Sequence, residues 1–156
     1  MTKDLEQADK VAAKYQAAPG LTEELVREIS RQKNEPDWML EKRLAGFRLW
    51  QEMSVPTWSP DLSGLDLEQL AYYVRPDTAE ATSWEDVPPE IRRTFDRLGI
   101  PEAEQKALSG VGAQFDSDVV YHNLKKEWTD QGVVFENMDV AVQKYPDLVR
   151  EHFMTQ

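Results

Sequence analysis

A chain of 156 residues with 40% hydrophobic and 10% aromatic content is long enough to form a core that buries roughly 70% of its unfolded surface. Its 29 acidic residues outnumber 18 basic ones and give a net charge of -11, which opposes attraction to phosphate backbones and anionic lipid and excludes nucleic acid and membrane as expected partners. The absence of cysteine excludes disulfides, thiolate ligation of a metal or cluster, and a cysteine nucleophile on this chain.

No apolar run approaches the ~20 residues a membrane helix needs. The opening MTKDLEQADK has mixed charge and no apolar h-region, so a cytoplasmic location is expected. Residues 1–20 carry one weak helical face, Leu5, Ala8, Val11, Ala12 and Tyr15, stopped by Pro19 and Gly20, and read as a mobile N-terminal segment. Thr22 is then placed as an N-cap with Glu23 and Glu24 in the first turn, and Leu21 and Val26 are spaced for a hydrophobic staple, which predicts a helix over residues 23–32.

Residues 33–50, KNEPDWMLEKRLAGFRLW, form the segment around which the chain is organised. Pro36 suits a first helical turn, Asp37 and Glu41 favour the positive end of the dipole, and Leu40, Leu44, Phe47 and Trp50 recur at helical steps. A helical hairpin over residues 21–53 follows, with Leu25 and Ile29 meeting the aromatic stripe. Pro56, Pro60, Gly64 and Pro76 break up residues 54–82, an irregular connection pinned by Trp58, Leu62, Leu65, Leu67, Leu70, Tyr72 and Tyr73, with a short extended piece over residues 70–74.

Residues 83–156 read as a small α+β unit. Ser83 and Asp86 have capping-box spacing, Pro88 and Pro89 open a helix carrying Ile91, Phe95 and Leu98 on one face, Gly99 is its expected C-cap, and Pro101 starts a second short helix. GVGAQ around Gly110 and Gly112 lacks the lysine of a phosphate loop and reads as a turn. A strand within residues 114–124, a helix over 125–130 stopped at Gly132, a second strand over 133–135, a helix capped by Asp139, and a turn or helix opened by Pro146 complete the chain, with the two strands expected to be parallel neighbours. The fold class expected is thus α+β and rich in helix.

The residues that invite a chemical reading are few. Asp116, Asp118 and His122 form a conceivable hard-metal group, but carboxylates on alternate strand positions are usually solvated, and His152 beside Glu151 suits a helix C-terminus better than a general base. The tryptophans, at 38, 50, 58, 84 and 128, are scattered and read as packing residues. No catalytic, cofactor-binding or metal-binding position is assigned, and the chain is expected not to be an enzyme.

The wording KNEPDWML-E-x-RL, PDLSGLDL with YYVRPD, SWEDVP with TFDRLGIPEAEQKAL, SGVGAQFDSDVVYHNL, and GVVFENMDVAVQKYPDLVREHF resembles, in order, the N-terminal region of the SufB scaffold in the SufB/SufD family of the SUF iron–sulfur cluster assembly system. The resemblance spans residues 21–153. It implies a scaffold domain that docks within the SUF complex without ligating the cluster carried by the full-length family scaffold. It also implies SufC and SufD as partners through the family's β-helix core and C-terminal helical segment, which are expected to be absent from this chain, and a cysteine desulfurase or sulfur carrier as a further partner. An alternative reading is a free-standing acidic adaptor or inhibitor that competes with full-length SufB for those partners.

Overall fold

The computed structural model describes residues 12–97 and 110–155. Its elements in chain order are β1 (Ala13–Gln16), α1 (Glu23–Gln32), α2 (Asp37–Glu52), β2 (Val74–Pro76), α3 (Pro89–Arg97), β3 (Gly110–Phe115), β4 (Asp118–Leu124), α4 (Lys126–Thr129), α5 (Met138–Lys144) and α6 (Pro146–His152), with single 3-10 turns at Leu67–Gln69 and Trp84–Asp86. The expected α+β, helix-rich class is what the elements show. They group into two units interleaved along the chain: one takes the chain up to Gln16 with Val74–Asn137, the other Ala17–Tyr73 with Met138–Gln156.

In the helical unit α1 starts as the sequence predicts, the Thr22 hydroxyl accepting from the Leu25 N–H at 3.1 Å. The α1–α2 connection is a Schellman motif. Asn34 sits in the left-handed region at φ 51, the Glu35 N–H donates to the Ser30 carbonyl at 3.0 Å, and the Asn34 N–H to the Arg31 carbonyl at 3.1 Å. Pro36 is extended, at ψ 156, and stands before the first turn as the N-cap of α2. Val26, Leu44 and Phe47 form the core, with Leu21 and Leu40 packed on it. Two refinements of the expected stripe follow. Val26 represents α1 in this core where Leu25 and Ile29 were expected, because the buried face of α1 runs through Val26 and Ser30 while Leu25 and Ile29 stay partly exposed. Trp50 stacks on Phe47 at 6.0 Å yet stays 40% exposed at the helix end.

In the other unit β3 and β4 form an antiparallel hairpin with a bulge between Ala113 and Gln114, turning at Asp116 with φ 52. The segment around Ala81 bridges the far side of β4 in parallel, the Ala81 N–H donating to Val120 and the His122 N–H to Ala81. Beneath lie Ala81, Val87, Ile91, Val120 and Tyr121, with Trp84 and Phe95 of the α3 region packed against them. The Trp84 ring meets those of Phe95 and Tyr121 edge-on at 5.6 and 5.4 Å.

Several sequence expectations are corrected here. GVGAQ is strand β3, not a turn, because pairing with β4 supplies its backbone partners and a Cβ at Gly110 would come within 3.1 Å of the Phe135 ring. Glycine at this position allows close approach. The two expected parallel strands are replaced by the β3–β4 antiparallel hairpin, and residues 133–135 are irregular. Their Phe135 instead stacks on His122 at 4.9 Å. Residues 13–16, placed on a weak helix, are β1 paired antiparallel with β2, a tertiary pairing that overrides a helical face with little to bury. The extended piece starts at Val74, later than residues 70–74 suggested. The expected Gly99 cap and Pro101 helix, and the earlier part of the N-terminal helix, lie outside the described residues.

Candidate functional site

The KNEP turn is the most tightly tied segment of the helical unit. The Glu35 carboxylate, 4% exposed, accepts two bonds from Arg43, 2.7 Å from Nε and 2.5 Å from a terminal nitrogen. That bond holds the Arg43 guanidinium above its ordinary pKa, with burial opposing. Lys33 Nζ reaches Asp139 on α5 at 2.5 Å and lies 5.8 Å from the Tyr73 ring centroid, and Gln143 donates to the Lys33 carbonyl. Asp139, expected to cap its helix, is instead the ion partner of Lys33. The signal for this arrangement was present in the sequence as an asparagine and a proline just past a helix, the composition of a left-handed C-terminal cap.

From the last turn of α2 onward the chain changes character. From residue 51 to 71 every residue except Ser59 is exposed. That stretch carries Met53, Val55, Trp58, Leu62, Leu65, Leu67 and Leu70, with Trp58 reaching 85% exposure. Its only ionisable side chains are Glu52, Asp61, Asp66 and Glu68. It is nonetheless locally ordered: the Asp61 carboxylate accepts from the Ser63 N–H at 2.9 Å, which holds its pKa below the usual range, and Asp66 accepts from the Glu68 N–H at 3.0 Å. The strap curls round a pocket of about 500 Å³ lined by Val55, Pro56, Pro60, Leu62, Leu65 and Leu67. The turns thus hold a series of apolar side chains outward.

The structure does not assemble the metal group considered from sequence. Asp118 is paired with Arg75 at 2.9 Å, and Asp116 stands at the exposed hairpin turn, where partial desolvation pushes its carboxyl upward against strong solvent screening. The His122 Nε2 is buried without a hydrogen-bond partner, its ring covered by Phe135. Asp118 and His122 are four residues apart on one strand, about 13 Å. Among the described residues no group of three or more metal-ligating side chains occurs. His152 and Glu151 lie in the last turn of α6, where the imidazole complements the helix end. Among those residues, too, no helix is long and apolar enough to cross a membrane.

Comparison with known proteins decides the family. The chain is 50% identical over 139 residues, 89% of its length, to an iron–sulfur cluster assembly SufBD family protein of Staphylococcus aureus. It is 48% identical over 147 residues, 94% of its length, to the corresponding protein of Staphylococcus saprophyticus. By sequence this chain belongs to the SufBD family. It spans 30% of the S. aureus relative and 32% of the S. saprophyticus one. No family model matches the chain, and no solved structure matches it significantly. As the names of these relatives state, they are iron–sulfur cluster assembly proteins.

Proposed function

We propose that this chain is the N-terminal docking domain of a SufB-like iron–sulfur cluster assembly scaffold, acting through contact and performing no chemistry of its own. The observation that carries the reading is the exposed apolar strap of residues 51–71, which a water-facing domain has no reason to hold on ordered turns. The surface it meets belongs to the part of the full-length relatives that this chain does not span, and through that part the domain joins SufC, SufD and a sulfur donor in one cytoplasmic assembly. The domain leaves cluster ligation to other segments, since it has no cysteine and two histidines.

The test is to express the remaining part of a full-length relative, titrate this chain into it by calorimetry, and repeat the titration at several temperatures. Binding with a negative heat-capacity change is expected. A chain that remains monomeric and shows no heat at high micromolar concentration overturns the docking role. Anaerobic reconstitution of the isolated chain with iron and sulfide is expected to leave it colourless after desalting, and stoichiometric retained iron and sulfide would contradict the non-ligating role.

A further inference from the structure

A second concavity, in the β-hairpin unit, is independent of the strap. A pocket of about 320 Å³ is lined by Trp84, Glu85, Pro89, Arg92, Arg93 and Asp96. That is the lower end of the volumes that hold small ligands, enough for one of amino-acid size. Among the described residues its walls carry two guanidinium groups and two carboxylates, which balance in charge. Two of these are already engaged: Arg93 lies 4.0 Å from Glu90, and Glu85 accepts from the Ser83 hydroxyl. Arg92 differs. Its Nε is buried with no hydrogen-bond partner among the described residues, so that nitrogen is desolvated and lacks an acceptor. Asp96 is exposed one turn further along the same face of α3.

A dianion such as phosphate would gain Arg92 but meet Glu85 and Asp96. An apolar ligand would leave Arg92 uncompensated, and a simple cation would be repelled by it. A zwitterion satisfies both signs at once. We propose that this pocket binds a free α-amino acid, its carboxylate on Arg92, its ammonium towards Asp96 and its apolar side chain along the Trp84 ring.

The test uses the full chain and L-leucine as probe, following the Trp84 indole N–H signal by nuclear magnetic resonance, with N-acetyl-L-leucine, L-leucinamide and inorganic phosphate as comparisons. Saturable millimolar binding of L-leucine is expected, weakened at least tenfold in either derivative and in Arg92→Gln. No saturable shift, equal binding of phosphate, or full binding by a folded Arg92→Gln protein overturns the proposal. If Arg92→Gln does not fold, Asp96→Asn, at an exposed position, replaces it: the preference for L-leucine over its N-acetyl derivative should fall, and an unchanged preference overturns the ammonium assignment.

Discussion

Glu35 is a carboxylate taken out of water by the turn that follows α1, and Arg43 makes that position tolerable. Arg43→Met leaves the carboxylate 4% exposed without its two donors. Breaking a fully buried pair costs roughly 3–5 kcal/mol; Arg43 is itself 35% exposed, and solvent screening brings the expected loss to about 2–3 kcal/mol. Glu35→Gln should cost less, because the stranded guanidinium can still reach water, and the double variant should recover part of the Arg43→Met loss. Urea unfolding of the three variants checks this, and an Arg43→Met protein no less stable than Glu35→Gln would show that Glu35 is not desolvated. Two glycines predict opposite signs. A Cβ at Gly46, inside α2, meets nothing within 4 Å, so Gly46→Ala should raise stability by about 0.5–1 kcal/mol through helix propensity alone. At Gly110 the same Cβ would lie 3.1 Å from Phe135 and 3.2 Å from Leu124, so Gly110→Ala should cost about 1–3 kcal/mol. Thermal melting of the pair should move in opposite directions.

At the scale of elements, α1 and α2 were legible because their signals are local: a capping threonine, acidic first turns and apolar residues at helical spacing lie within one segment each. The prediction belonging to this hairpin concerns its aromatics. Phe47 is 8% exposed between Val26 and Leu44, so Phe47→Ala should cost about 3–5 kcal/mol, whereas Trp50, 40% exposed, should cost less than half as much when truncated to Ala. Equal losses in chemical denaturation would mean that both rings belong to one core. The strands were harder to read. β1 has few apolar residues of its own, and its strand state comes from pairing with β2, whose sequence lies some sixty residues away. β3 is punctuated by Gly110 and Gly112, which mimic a turn when the partner strand and the Phe135 ring are not in view. Val133, Val134 and Phe135 have strand composition but no partner strand among the described residues, and their side chains stay exposed apart from the stacking of Phe135 on His122. Composition recognises a residue suited to a pleated surface; it does not say which backbone will supply the hydrogen bonds. The candidate site was legible to a similar degree. The apolar residues of the 54–82 connection were read as pins across a surface, whereas most of them project away from it, a distinction that depends on tertiary burial.

On the scale of the whole molecule, the strap presents apolar area that the described residues leave uncovered, beside acidic side chains only. If that area serves association and not folding, its substitution should separate the two. Trp58, Leu62 and Leu65 are 85%, 46% and 46% exposed. Replacing all three by Ser removes little buried surface from the domain, so the melting temperature should stay within about 2 °C of the parent, consistent with surface substitutions of under about 0.5 kcal/mol each. Association with the remaining part of a full-length relative should weaken at least a hundredfold, since burying each large apolar side chain at an interface contributes about 1.5–3 kcal/mol. The acidic side chains make a second, separable contribution. Asp61→Asn with Glu68→Gln should lower the association rate and flatten its salt dependence if the facing surface is basic, while leaving the heat-capacity change of binding intact. Stopped-flow association at two ionic strengths distinguishes these terms. A triple serine variant that melts well below the parent would place the strap in the fold of this domain, and a triple variant that binds undiminished would place the docking surface elsewhere.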